Sequence, residues 1–295
     1  MQLASTNGLK SFSKGLVEVF YILNRNILVR AALVFLALLI VLAIFAPLIV
    51  PYPDDVYGAA NPGNALQPMS AKHWFGTDEL GRDILSKVIF GVRVSLFASF
   101  TTIAASVVAG SVLGAIAGSF GGVVDELIMR VTDALLSFPP LLLAIVLSAL
   151  LGPSLINAQI AIAVAWWPFY TRLMRGQAIS VKEKLFVRAA EAIGTRRPVI
   201  IFRHIVPNCI PPIIVQASID MGAVTLTLAS LSFLGLGAQS PTPEWGLMVS
   251  TSKSYFLNAW WYSIFPGLAI FFTVLSFNLV GDGLREALDP KTKRS

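Results

Sequence analysis

The sequence predicts an all-α membrane protein with about six transmembrane helices and both termini on the cytoplasmic side. Three observations carry this reading. First, 56% of the 295 residues are apolar, 13% are charged and the mean hydropathy is +0.75. A soluble domain carries about 25% charged residues, so the bilayer must serve as part of this chain's solvent. Second, the chain holds several long runs free of charge. About 20 helical residues, at 1.5 Å each, cross a hydrocarbon core about 30 Å thick. Third, the basic residues are spread unevenly. With the N-terminus inside, 17 of the 22 Lys and Arg fall on inner segments and 5 on outer ones, as the positive-inside rule requires.

Residues 1–30 lack a compact apolar stretch ending in a small-residue cleavage site, so a retained cytoplasmic segment is expected. Within it, residues 7–26 mix apolar with basic side chains. That composition suits an interfacial helix, or a frayed tail in its first half. The first span is residues 31–50, stopped by Pro51-Tyr52-Pro53-Asp54-Asp55. A periplasmic segment, 51–93, follows, and the second span is Val94 to Phe120. The uncharged run Ala134 to Thr171 is too long for one span, and Gly152-Pro153-Ser154 divides it into a third and a fourth. Pro139-Pro140 marks where the third begins, and ahead of it Glu126 and Arg130 are one helical turn apart and can pair. The fifth span is Cys209 to Gly237 and the sixth Trp260 to Val280, with Trp260, Trp261 and Tyr262 suited to an interfacial belt. The core is thus 94–295, with an inner loop at 172–208 and a cytoplasmic tail at 281–295. Cys209 is the one cysteine, so no internal disulfide can form.

Gly110, Gly114 and Gly118 recur at every fourth position of the second span. Such spacing lets two helix backbones approach closely, within the chain or against a partner subunit. Asp220 is the one charge well inside a span. An intramembrane carboxylate faces a cavity or a partner, which makes it a pore-lining residue, a proton relay, or a group bonded to a Ser or Thr. Thr225 and Thr227 are candidates for that bond. A lone carboxylate is poor equipment for a proton-driven transporter.

In the outer segment, His73, Gly76, Thr77, Asp78, Gly81, Arg82 and Asp83 form a dense turn-and-cap motif. Gly76 and Gly81 permit tight turns, Thr77 or Asp78 can cap a following helix, and Glu79 and Asp83 favour its start. His73, Asp78 and Asp83 fit no standard metal-ligand spacing, so no metal is expected.

The loop from Arg172 to Asn208 holds eight of the basic residues. Lys182 to Ile193 has helical character, with Leu185, Ala189, Ala190 and Ile193 as its apolar stripe. Gly194 can end that helix in a left-handed cap, and Thr195 can start a second short one with Pro198 in its first turn. Pro207-Asn208 closes the loop. Two short helices joined at a glycine make a knob suited to docking in a groove, or to lying on anionic lipid.

Here the sequence resembles a known family. Ala189-Ala190, Gly194, and Pro207 thirteen residues later look like the "EAA" loop of bacterial ABC importer permeases. Arg188 stands where that pattern has its acid, Glu191 lies three residues on, and His204 stands at a hydrophobic position. The segment His73-x-x-Gly76-Thr77-Asp78-x-x-Gly81-Arg82-Asp83 is similar to the dipeptide/oligopeptide/nickel branch. So are Leu231 to Gln239, Pro243-Glu244-Trp245-Gly246, and Gly281-Asp282-Gly283-Leu284-Arg285 with Leu288-Asp289-Pro290. The resemblance covers residues 15 to 292 and points to the C-type subunit.

The resemblance implies the type I ABC importer permease fold and a role as half of a path for di- or oligopeptides, with nickel chelates or glutathione as alternative solutes. It implies a second, homologous B-type permease, two ATPase subunits using ATP and Mg2+, and an external solute-binding protein. In such importers the loop, here Arg188 to Glu191 with Gly194, Arg196, Arg197 and Pro207, couples the ATPases to the spans. The chain itself has no Gly-x-x-x-x-Gly-Lys-Ser/Thr loop to cradle ATP phosphates, and no catalytic constellation. No cofactor, enzyme activity or nucleic-acid partner is expected. The rival classes are a stand-alone secondary transporter or channel, which would want more buried charge than Asp220, and an intramembrane enzyme, which would need paired catalytic residues.

Overall fold

The computed structural model describes residues 21–288. The expected interfacial segment falls largely outside that range, as do Lys10, Lys14, Lys291, Lys293 and Arg294. Helices make up the described architecture, and the one β-bridge joins Thr77 to Asp83.

Helix α1, Ile27–Ile49, opens the bundle on an Asn26 cap whose side chain accepts from the Leu28 N–H. The second span is longer than expected. Helix α2, Ile84–Phe120, runs for 37 residues and starts ten residues before Val94. The cap is Asp83, not Thr77 or Asp78: its carboxylate accepts from Ser86 N–H at 2.7 Å. With that bonded cap the helix takes in Lys87 and Arg93, which were expected in the outer segment.

Helices α3, Gly122–Leu136, and α4, Pro140–Leu151, meet at the Ser137-Phe138-Pro139 break and are bent there by 88°, so the expected third span starts a new helix at Pro140. On α3, Arg130 pairs with Glu126 at 2.5 Å, as its spacing predicts. Helix α5, Leu155–Lys182, is 28 residues long. It continues past Thr171, so Arg172, Arg175 and Lys182 belong to it rather than to a loop. Among the described residues four helices are long and apolar enough to cross a membrane, or five if the bent pair counts as one span, against the six expected. Helix α5 is the more polar one, because it is central and packs against protein on several sides.

The glycine ladder does its work inside the chain. A Cβ at Gly110 would lie 2.4 Å from Trp167 O, one at Gly114 2.4 Å from Thr171 O, and one at Gly118 2.8 Å from the Ala178 Cβ. These contacts set α2 directly against α5, with backbone touching backbone.

The expected two-helix knob is overturned. Helix α6, Leu185–Ala192, is one short helix. After it, helix α7 runs as one 37-residue rod, Arg197–Phe233, through Pro207. The cap is Arg196, not Thr195. A π turn at Ile201–Ile205 widens the helix, with Val206 N–H reaching Ile201 O. The next residue, Pro207, has no N–H to offer, so the wide turn absorbs it without ending the helix.

Helix α8, Trp245–Ser252, precedes α9, Trp260–Leu288. Of the expected aromatic belt, Trp260 is exposed, but Trp261 and Tyr262 are buried. They pack with Ile84, Val92, Trp245 and Met248 in a core under the outer segment. The other motifs are also structural. Gly235 (φ +81) ends α7, Glu244 caps α8, and Gly246 and Gly281 let helices touch Ala229 and Ile219.

Candidate functional site

The site residues that the sequence singles out fall in three places: the short helix α6, the polar knot of the outer segment, and the cavity at Asp220. Helix α6 ends in a Schellman motif. Gly194 sits at φ +79, its N–H bonds Glu191 O at 2.9 Å, and Thr195 N–H bonds Ala190 O at 3.1 Å. Nothing lies within 4 Å of a Cβ at Gly194, so only its backbone conformation demands glycine.

The apolar stripe divides differently from the expected one. Val187 and Ala190 point inward, into a core with Met174, Ala178, Ile200, Ile205 and Cys209. Leu185 and Ile193 are 86% and 83% exposed, with Ala189 exposed between them. Positions 185, 189 and 193 repeat every four residues, so they share one face. One side of α6 is thus bolted to α5 and α7, and the other presents uncovered hydrocarbon. Arg188, in the acid's place, pairs with Glu183. Arg196, Arg197 and Glu191 are exposed as well, and Pro207 is inside α7.

The outer motif folds into a buried knot. Asp78 Oδ1 accepts from Leu80 and Arg82 N–H, both at 2.9 Å, while Oδ2 takes Arg82 Nε at 2.7 Å and Lys87 Nζ at 2.8 Å. Burial pushes the Asp78 carboxyl up, but Lys87 and Arg82 outweigh it and hold it below the usual carboxylate range. His73 Nδ1 meets Asp83 Oδ1 at 2.9 Å. Gly76 and Gly81 both adopt positive φ, as their place in the turns predicts. Thr77 O lies against the Trp261 indole. Buried Glu244 at the same end is raised by desolvation, opposed by Gly246 and Leu247 N–H.

Asp220 lies midway along α7. Its partners are not Thr225 or Thr227, which bond backbone carbonyls of their own helix. Tyr170 of α5 donates to Oδ2 at 2.7 Å, and Gln216 donates to Oδ1 at 3.0 Å. A cavity of about 480 Å3 opens on this carboxylate, walled also by Pro140, Trp166, Phe169 and Arg172. Gln216 and Leu173 also wall a second cavity of about 380 Å3 that reaches Arg285. Tyr170 and Gln216 escaped the sequence reading. The available signal was a tyrosine inside an apolar run, whose buried hydroxyl needs a partner.

Residues 110–294 match the family described as "Binding-protein-dependent transport system inner membrane component". Residues 16–68 match the "N-terminal TM domain of oligopeptide transport permease C". The chain is 48% identical to the dipeptide transport system permease protein DppC of Alkalihalophilus pseudofirmus, over 94% of this chain and 90% of that one. It is 44% identical to the probable D,D-dipeptide transport system permease protein DdpC of Escherichia coli, over 93% and 91%. It is 42% identical to the glutathione transport system permease protein GsiD of Pectobacterium atrosepticum, over 92% and 89%.

Proposed function

The chain belongs to the family of inner-membrane components of binding-protein-dependent transport systems, and from that premise we propose that it forms half of an ATP-driven import path for di- or oligopeptides. It is a multi-pass membrane permease subunit and not an enzyme. The other half of the path is a second, homologous permease. Two ATPase subunits using ATP and Mg2+ sit against the basic end, inside the cell with both termini. A solute-binding protein docks at the opposite end. The substrate class rests on relatives named for dipeptide, D,D-dipeptide and glutathione transport, all peptide-like solutes.

The observation that carries the mechanism is the two-sided α6. Its inner face is packed into α5 and α7, so displacement of α6 moves both long helices together. Its outer face offers Leu185, Ala189 and Ile193 to a groove. Closure of the ATPase pair would push on that face, and α5 and α7 would tilt as levers. Such coupling needs one two-state element biased from both ends, and the α5–α6–α7 unit is suited to it.

The test is ATP-dependent uptake of a labelled dipeptide into proteoliposomes. The complete complex with its binding protein is expected to accumulate the label, and the chain alone to accumulate none. Uptake by the chain without ATPase subunits would overturn the reading in favour of a stand-alone transporter.

A further inference from the structure

We propose that the cavity between α5 and α7 is an intramembrane resting site for a zwitterionic solute, with Asp220 receiving its ammonium group and Arg172 its carboxylate. This rests on the peptide-import reading and adds the chemistry of recognition within the path.

The geometry argues for a receptor rather than a structural bond. A carboxylate midway along a span is costly unless it is paired or serves a passing ligand. Asp220 has no cation within salt-bridge distance among the described residues. It is held by two neutral donors, one to each oxygen, from Tyr170 at 2.7 Å and Gln216 at 3.0 Å. Those bonds fix the carboxylate's orientation and leave each oxygen a lone pair. The carboxylate also faces open space, since the cavity of about 480 Å3 is walled by it. An ammonium group supplies the missing positive charge.

The same cavity carries the opposite charge. Arg172 lies two residues beyond Tyr170 and lines the space, with its guanidinium on Asp133 at 2.5 Å. That pair is exposed on both sides, so it is weak and exchangeable. A solute carboxylate can replace Asp133 in the planar fork. Trp166 and Phe169 furnish apolar wall to the same cavity. A short peptide has this arrangement, an ammonium and a carboxylate separated by a partly apolar body. The onward cavity, sharing Gln216 and Leu173 and reaching Arg285, offers the carboxylate its next partner toward the basic end.

The experiment uses the complete complex in proteoliposomes, with alanyl-alanine as probe and ATP hydrolysis measured in parallel. Asp220→Asn should cut uptake about tenfold or more, because it removes the charge while preserving shape. Hydrolysis stimulated by the binding protein should persist, and Asp220→Glu should recover part of the uptake. Undiminished uptake by Asp220→Asn, beside an active wild type, would overturn this site and leave the import reading intact. No peptide uptake by the wild type would overturn the import reading and this site with it. A second measurement covers a variant that fails to assemble. Without binding protein, the detergent-solubilised wild-type complex should retain alanyl-alanine in equilibrium dialysis and retain N-acetyl-alanyl-alanine at least tenfold less. Equal retention of the two, or none of either, would also overturn it.

Discussion

Lys87 Nζ lies 2.8 Å from Asp78 Oδ2, and both side chains are out of solvent. This pair, with Arg82 at 2.7 Å on the same oxygen, ties the outer segment to the start of the second span. Removing one partner of a buried pair strands the other charge. Asp78→Asn is therefore expected to cost roughly 3 kcal/mol of stability, whereas Lys87→Met should cost much less because Asp78 keeps Arg82. The double variant should recover part of the Asp78→Asn loss. Thermal unfolding in detergent reads this cycle, and equal losses from the two single changes would refute the asymmetry.

The same carboxylate sets a pH dependence. Asp78 is held below its unfolded value of about 3.9. Its stabilisation is therefore present at neutral pH and lost as pH falls through the depressed folded value. The gap in unfolding midpoint between wild type and Asp78→Asn should be full at pH 7 and should close in acid below about pH 4. Glu244, raised by burial, acts with the opposite sign but is common to both proteins. A gap that stays constant down to about pH 3 would contradict the assignment.

Gly114→Ala should separate α2 from α5, since a Cβ there would sit 2.4 Å from Thr171 O and 2.8 Å from the Met174 Cβ. A cost of about 1–3 kcal/mol is expected, because backbone cannot give way as a side-chain tip can. Gly176→Ala is the control on the facing helix. It has nothing within 4 Å of an added Cβ and should be neutral or mildly stabilising. Paired melting curves decide, and a harmless Gly114→Ala would count against direct backbone contact.

Gly194→Pro forbids the φ of +79 and deletes the N–H that bonds Glu191 O. Uptake should fall while the complex still assembles, because α6 keeps Val187 and Ala190 in the core but loses its fixed end. A charge reversal at Arg196, exposed at the α7 cap, should act in the same direction. Wild-type uptake with either change would remove this turn from the coupling path.

Leu185→Asp and Ile193→Asp test the uncovered face itself. Both side chains are over four-fifths exposed, so folding should be unchanged within about 0.5 kcal/mol. Co-purification of the ATPase subunits should drop sharply. Retained ATPase with both changes present would place the contact elsewhere.

The long apolar helices Ile27–Ile49 and Trp260–Leu288 were legible as candidate crossings because the bilayer imposes one rule on every crossing: length and apolarity. Gly194 was legible as a helix end because only glycine takes a left-handed cap without strain. The helix ends at Asp83, Lys182 and Arg196 were not, since ladders of backbone bonds continue past the membrane wherever a cap, a core or a π turn supports them. The burial of Trp261 and Tyr262 was hidden for a related reason. Aromatic composition is the same for a belt and for a core, and only the packing of the outer segment over them separates the two.

The sequence by itself determined the class of protein and the family pattern, because these depend on residues close together in the chain. Only the tertiary structure decided which face of α6 is anchored, what the glycine ladder touches, and that Asp220 answers to Tyr170 fifty residues away. A one-dimensional pattern carries the period of a helix, but a buried carboxylate is satisfied by whichever donor the bundle brings to it.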